Sequence, residues 1–179
     1  MGEMLIILLM GNLEFEVEPS RYYAVLIQVH RSTDPIMLSI EDTSWRLFNY
    51  FSFHYTIFHT ENLRRSTIAS LNVSKDDIAG ITVVESDTVI TLNAPDSIEY
   101  SMKLYTPTGI FIFPGPTARL DSVMVLMEGR PDGIIRIGKS DMEQNLILPL
   151  IIMSGEKNTL KVFGEGSFKI MVGKVLPLP

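Results

Sequence analysis

Near the start of the chain, apolar and polar residues alternate with a period of two. In the segment 13–18, Leu13, Phe15 and Val17 alternate with three glutamates, and a strand presents successive side chains to opposite faces. This pattern predicts a strand with one buried and one solvent-exposed face. Residues 22–30 are almost continuously apolar, which predicts a strand that is buried on both faces or packed beneath another chain.

An apolar run over residues 4–10 precedes these two strands. A signal peptide carries a basic region before its apolar part and a small-residue cleavage site after it, whereas this run follows Glu3 and has neither feature. The run is also too short to span a bilayer. We therefore expect a buried first strand, no signal peptide and no transmembrane segment.

The longest β pattern covers residues 45–59. A strand of this length is predicted to bend or to contain a bulge near its middle. Because side chains two residues apart share a face, one face of this strand carries four large apolar residues, which are predicted to belong to the core. They are Phe51, Phe53, Tyr55 and Ile57.

Two segments, 62–71 and 74–79, interrupt the β pattern. In the second segment, Ser74 has the side chain expected at a helix N-cap, and Gly80 is expected to end the helix. We therefore predict one or two short helices around residues 62–79.

From residue 81 onward, short strands return at close spacing and are separated by turn-forming sequences such as Ala94-Pro95-Asp96 and Gly164-Glu165-Gly166. About a dozen strands without βαβ alternation predict an all-β fold. The expected architecture is an antiparallel two-sheet β-sandwich of the jelly-roll type, formed as a single domain over residues 1–179. The predicted later strands are 81–85, 88–92, 98–105, 110–113, 122–127, 134–137, 146–153, 160–163 and 168–172.

Composition and charge exclude several classes of partner and chemistry. The chain has 15 Lys and Arg against 21 Asp and Glu, which gives a formal charge of -6. The basic residues are scattered rather than gathered in a stripe, so no nucleic-acid partner is expected. The chain has no Cys, which excludes disulfides, a thiolate nucleophile and cysteine-ligated metal sites.

The three histidines do not form a metal-binding pattern. His54 and His59 are five residues apart, so a strand points them to opposite faces. His30 is expected at a strand end. We therefore predict no metal site.

The paired carboxylates do not indicate catalysis either. Glu41-Asp42 is interpreted as solvated surface, and Asp76-Asp77 as negative charge near a helix N-terminus. The sequence contains neither a nucleophile elbow nor a glycine-rich phosphate loop. We therefore predict no catalytic residues, no cofactor and no enzyme activity.

Aromatic residues offer one candidate ligand platform. Trp45 and Tyr50 are the residues that could line an exposed sheet face, and they favour a carbohydrate-binding module as the alternative function. At the other end of the chain, the apolar tail 175–179 is expected either to pack against a neighbour or to fray.

The C-terminal stretch 148–170 has an ordered series of apolar and turn segments. It reads Leu-Pro-Leu-Ile-Ile-Met, Ser-Gly-Glu-Lys-Asn, Thr-Leu-Lys-Val-Phe, Gly-Glu-Gly and Ser-Phe-Lys-Ile. This order resembles the closing strands of jelly-roll domains in virion proteins of phages and other viruses. The resemblance implies a structural role in a capsid, spike or tail. We therefore expect a virion or cytoplasmic assembly protein whose partners are copies of itself and other virion proteins.

Overall fold

The computed structural model describes seven segments of the chain: 12–30, 35–50, 52–103, 106–128, 134–138, 148–153 and 156–177. The predicted first strand over residues 4–10 lies outside them. The described part folds into 14 strands. These are β1 (Asn12–Val17), β2 (Tyr22–Val29), β3 (Met37–Ile40), β4 (Thr43–Arg46), β5 (Phe48–Tyr50), β6 (Phe53–His59), β7 (Thr67–Ser74), β8 (Ile78–Ser86), β9 (Ile90–Ser101), β10 (Pro107–Pro114), β11 (Arg119–Met127), β12 (Ile134–Gly138), β13 (Leu148–Met153) and β14 (Lys157–Val175).

The strands form two antiparallel sheets. The smaller sheet has the order β1-β7-β3-β4, and the larger sheet runs β12-β11-β14-β8-β2-β6-β5, with β10 paired to β13 and β14 and with β9 paired to β14. The predicted all-β sandwich of two antiparallel sheets is thereby confirmed. The jelly-roll type and the single domain over residues 1–179 stay predictions.

The first apolar cluster lies between the smaller sheet and strands β2, β6 and β8 of the larger sheet. On β1, Leu13, Phe15 and Val17 are buried while the glutamates between them are exposed, so the predicted two-faced strand is confirmed. On β2, Tyr23 belongs to this first cluster and Ala24 to another on the opposite side of the sheet. The prediction that β2 is buried on both faces is therefore also confirmed.

The second apolar cluster lies in the C-terminal half, where one sheet curves round its own core. Strand β14 pairs with β11 in its first part and with β10 in its second part, while β9 pairs with both parts. Leu160 and Ile170, from the two parts of β14, belong to the same buried cluster. A single long strand thus contributes to two walls of this core.

The bend in β14 falls at Gly164 and Gly166, where the pairing register shifts. Their φ angles of 153° and 87° lie in a range that residues with a Cβ rarely adopt. The predicted turn between two strands at Gly164-Glu165-Gly166 is therefore wrong, since these residues bend one continuous strand. The predicted turn at Ala94-Pro95-Asp96 is wrong for the same reason, because it lies inside β9.

The predicted helix over residues 62–71 is wrong, because β7 occupies the second half of that segment and the first half contains no helix. Ala69 and Leu71 are fully buried in the first cluster, and this tertiary burial outweighs the local helix preference. The second predicted helix is reduced to a 3-10 turn, Lys75–Asp77, in which the Ser74 hydroxyl accepts a hydrogen bond from the backbone N–H of the second turn residue. The predicted cap is thus confirmed, but the chain then enters β8 instead of continuing as a helix.

The long strand predicted over residues 45–59 is divided into β4, β5 and β6. Between β4 and β5 the chain passes from the smaller sheet to the larger one. On β6, Phe53, Tyr55 and Ile57 are half-buried against a third apolar cluster, which confirms their packing, while Phe51 lies outside the described residues. The opposite face of β6 is also buried, because His54 is only 1% exposed.

The third apolar cluster joins the two halves of the molecule. Leu26 and Val84 enter it from β2 and β8, and Phe111 and Met171 enter it from β10 and β14. The C-terminal tail continues this contact, because the Leu176 N–H donates to the Val83 carbonyl oxygen at 2.9 Å. The tail therefore packs on its own chain as far as the structure describes it.

Candidate functional site

The most exposed large apolar side chain of the described residues is Phe48, which is 66% exposed. Its ring stacks on Tyr55 of the neighbouring strand, with ring centroids 5.6 Å apart and an interplanar angle of 28°. Phe53, two residues before Tyr55, lies on the same face and is half-buried. We call these three residues, Phe48, Phe53 and Tyr55, the β5 patch.

The β5 patch is positioned by a buried anchor and by strand register. Leu47 is 1% exposed, and its N–H donates to the Ile36 carbonyl oxygen at 2.9 Å. Because successive residues of an extended chain point to opposite sides, burying Leu47 turns Phe48 outward. Antiparallel pairing then places Phe48 opposite Tyr55. Burial raises the pKa of the Tyr55 hydroxyl, so the patch is uncharged at neutral pH.

Strand β5 differs from the other described edge strands in its chemistry. Edge strands that expose unpaired backbone groups are commonly protected by charges or by proline. In the smaller sheet, β1 carries two glutamates and β4 an arginine. In the larger sheet, β12 carries an arginine, β13 a proline, and β9 a proline with two carboxylates. Strand β5, Phe-Asn-Tyr, has neither charge nor proline.

The two residues predicted as a ligand platform lie on different sheets. Trp45 is on β4 of the smaller sheet, where it packs against the first apolar cluster and meets Phe58 edge-on with centroids 5.3 Å apart. Tyr50 is on β5 of the larger sheet, opposite Phe53 in the register. The structure therefore does not bring Trp45 and Tyr50 together on one sheet face.

Phe48 is not among the residues predicted from the sequence, although a signal for it was present. Phe48 and Tyr50 alternate with Leu47 and Asn49, which places two aromatic residues on one side of the strand. The pattern could not show that β5 lies at a sheet edge, because this depends on the order of distant strands.

The histidines lie apart, as predicted. His59 is on the opposite face of β6 from His54 and stacks on Tyr22 at 4.2 Å between ring centroids, and His30 is exposed where β2 ends. Neither ring nitrogen of His54 has a hydrogen-bond partner among the described residues. Desolvation, aided by the positive charge of Arg46, lowers the pKa of His54, so its imidazole stays neutral. In the described part of the chain, no three His, Asp or Glu side chains are grouped so as to hold a metal ion.

The two pairs of adjacent carboxylates are separate from one another. Glu41 and Asp42 are exposed at the turn between β3 and β4, which agrees with a solvated surface. Asp76 and Asp77 are exposed in the first turn of the 3-10 segment, where negative charge is favoured.

A cleft of about 590 Å³ lies in the larger sheet, at the ends of β9 and β11 and the start of β14. The Tyr100 hydroxyl is buried beside it without a hydrogen-bond partner in the described chain, and burial raises its pKa. Asn158 is opposite Tyr100 in the register and is 3% exposed. The cleft is lined by Glu99, Tyr100, Ser101, Leu126, Met127, Glu128, Lys157, Asn158 and Thr159.

A second cavity, of about 360 Å³, lies beside the edge strand β1, and we call it the β1 groove. It separates β1 from the C-terminal tail. Its charged residues are mostly glutamates, with one lysine, and its apolar residues come from the smaller sheet and from the C-terminal tail. The groove is lined by Glu14, Phe15, Glu16, Glu18, Ile68, Glu85, Lys174, Leu176 and Pro177.

None of the described segments forms a helix with the length and apolar character needed to cross a bilayer.

Comparison with known proteins gives little sequence similarity. No family model and no curated protein matches this chain. Among solved structures, it aligns with a turret protein in Sulfolobus turreted icosahedral virus at 8% sequence identity, over 92% of this chain and 93% of that chain. The TM-score of this alignment is 0.30. A score this low does not establish a shared fold or function.

Proposed function

We propose that this protein is a structural component of an assembly, without catalytic activity, and that it associates with copies of itself through edge strand β5. The observation that carries the proposal is the exposed Phe48 on an edge strand that lacks charge and proline. A virion component, in a capsid, spike or tail, is the kind of assembly favoured by the resemblance of residues 148–170 to virion jelly-roll proteins.

Strand chemistry favours a second copy as the partner at this edge. Antiparallel pairing of β5 with the same strand of another copy forms a two-fold interface in which each strand contributes the same residues. Because β5 carries no charge, this pairing brings no like charges together on the strand, whereas the whole chain carries a formal charge of -6. Covering Phe48 removes apolar surface from water, which stabilises association.

The assembly role is favoured over carbohydrate binding because of the position of Trp45. A sugar platform requires an aromatic face exposed to solvent, and Trp45 packs on the first apolar cluster. The β5 patch contains the most exposed aromatic side chain among the described large apolar residues, Phe48, and its ring already stacks on Tyr55.

Light scattering after size-exclusion chromatography tests the proposal. The wild-type protein is expected to have a mass that is a multiple of 20.2 kDa, and Phe48→Ser is expected to have the monomer mass without loss of thermal stability, since this side chain is largely exposed. Ile90→Ser is the matched control, because Ile90 is 37% exposed on edge strand β9, and it is expected to keep the wild-type mass. A monomeric wild type, or an unchanged mass for Phe48→Ser, would rule out assembly through β5.

A further inference from the structure

His54 is a buried ionisable side chain without hydrogen bonds in the described part of the chain. It is 1% exposed, and neither of its ring nitrogens has a hydrogen-bond partner among the described residues. A neutral imidazole has one donor and one acceptor, and leaving them unpaired away from water costs stability. The imidazole therefore occupies a site that would suit an apolar side chain of similar size.

Strand register places His54 on the side of β6 that faces the first apolar cluster. In the pairing of β2 with β6, His54 lies opposite Ile27, and residues directly opposite one another share a face of the sheet. Ile27 is fully buried and belongs to the first cluster. On its other side, His54 lies opposite Asn49 of β5. Strand β6 thus carries the imidazole into the interior between the two sheets.

The groups around His54 oppose its protonation. Its neighbours on β2 and β5, Ile27 and Asn49, cannot ionise, and the charged group that acts on it is Arg46 of β4. Burial raises the pKa of Tyr23, which lies further along β2 on the same face, so this tyrosine stays neutral. Burial, followed by the positive charge of Arg46, lowers the pKa of His54. A proton on His54 would therefore add a buried positive charge close to a guanidinium.

We propose that protonation of His54 is an acid switch of this fold, which opens the N-terminal half at the pairing of β5 with β6 so that the charged imidazole reaches water. Strand β5 is expected to separate, because it has three residues and pairs only with β6 in the part of the chain that is described. These two strands also carry the β5 patch, so the opening removes the surface proposed for assembly. The switch itself concerns a single chain and does not depend on that assembly.

The direction of the pH effect follows from the protonation of the folded and unfolded chains. In the unfolded chain, His54 is exposed and takes up a proton below about pH 6.5. In the folded chain its pKa is lower, so between the two pKa values the unfolded chain binds one proton more. The stability that depends on neutral His54 is therefore complete above about pH 6.5 and is lost progressively as the pH falls toward the folded pKa.

Urea unfolding at two pH values tests the switch. From about pH 7.5 to about pH 5.5, the additional proton on the unfolded chain raises the unfolding equilibrium constant about tenfold. This rise is expected in the wild type and is expected to be absent from His54→Gln and His54→Leu, one polar and one apolar replacement that cannot ionise. His59→Gln is the matched control, because His59 lies on the opposite face of the same strand and its side chain is partly exposed. It is expected to keep the tenfold rise.

Hydrogen exchange measured by mass spectrometry locates the opening. After correction for the effect of pH on intrinsic exchange, acid is expected to speed exchange in β5 and β6 of the wild type more than in β10 and β14, and not in the His54 variants. Equal acceleration in β10 and β14 would overturn the proposal, because the opening would not be local to β5 and β6.

Two other outcomes would also overturn the switch. The first is an equal acid response of unfolding in the wild type and in both His54 variants. The second is read by NMR of the wild type without any substitution: a His54 imidazole that titrates near about pH 6.5 while the fold is intact would be solvated without any opening.

Discussion

The two halves of the molecule close their apolar cores in different ways. In the N-terminal half, two separate sheets face each other across the first cluster. In the C-terminal half, β9 and β14 bend so that one sheet curves round the second cluster. Both halves use the same alternation of apolar and polar residues. Closing a core between two facing sheets therefore depends mainly on side-chain packing. Closing a core inside a bent sheet also depends on the backbone conformation at the bend.

The two halves also differ in charge. Residues 1–89 contain six basic and twelve acidic side chains, whereas residues 90–179 contain nine of each. The whole formal charge of -6 therefore belongs to the N-terminal half. The uncharged strand β5 lies in this acidic half, which makes it a local exception on a surface that otherwise repels copies of itself.

The largest effect is expected from cavities in the two cores. Leu71 in the first cluster and Leu160 in the second are both fully buried, and replacing either by Ala is expected to lower the free energy of unfolding by about 3 kcal/mol. Because the third cluster joins the halves, each variant should move a single calorimetric transition. Two separate transitions, of which only one moves in each variant, would show that the halves fold independently.

A smaller effect is expected from the bend in β14. A Cβ at Gly164 would overlap the backbone oxygen of Arg119, and the backbone there has a positive φ, so Gly164→Ala should lower the free energy of unfolding by about 2 kcal/mol. Gly80 on β8 is the control, because a Cβ there meets no atom within 4 Å, and Gly80→Ala should change stability by less than about 0.5 kcal/mol. Urea unfolding measures both variants. Equal losses would mean that the bend places no special demand on the backbone.

The smallest effect distinguishes two tyrosines whose hydroxyl groups are buried. The Tyr23 hydroxyl accepts a hydrogen bond from the Glu18 N–H at 2.7 Å and donates to the Glu85 carboxylate at 2.9 Å, so Tyr23→Phe should cost about 1 kcal/mol. The Tyr100 hydroxyl has no partner among the described residues, so Tyr100→Phe should leave stability unchanged or raise it slightly. Thermal unfolding of the two variants measures the difference. A loss of stability in Tyr100→Phe equal to that in Tyr23→Phe would contradict this contrast.

The sequence predicts elements whose pattern is local. The strands β1 and β2 were predicted correctly, from the alternating residues of β1 and the continuous apolar run of β2. Both patterns are local, because successive side chains of a strand point to opposite faces and the pattern therefore shows whether one or both faces are buried. The prediction of a helix over residues 62–71 was wrong because the burial of Ala69 and Leu71 depends on strands that are distant in the chain. The prediction of a turn at Gly164-Glu165-Gly166 was wrong because glycine permits both a turn between two strands and a bend within one strand. Only the pairing partners of the strand decide between the two.

The candidate site was less predictable than the fold. Trp45 and Tyr50 were predicted to bind a ligand because they lie outside the apparent core face of the sequence pattern. The chain passes from the smaller to the larger sheet at Leu47, however, so the two residues belong to different sheets, and no local pattern shows this crossover. Phe48 became a candidate only when the strand order placed β5 at an edge. Edge positions are a property of topology, so a sequence pattern can predict a strand and still leave its exposed side unknown.

The length of β14 has a consequence for synthesis of the protein. This strand pairs with β8, β9, β10 and β11, all of which are made before it. While the ribosome is still translating residues 157–175, the strands of the C-terminal half lack the partner that holds them together, whereas β1 to β8 are already complete. Contacts between residues far apart in sequence form slowly, and unpaired strands are prone to aggregate. The C-terminal half is therefore expected to fold only after β14 has been made, and strands β9 to β11 are expected to need protection by chaperones until then.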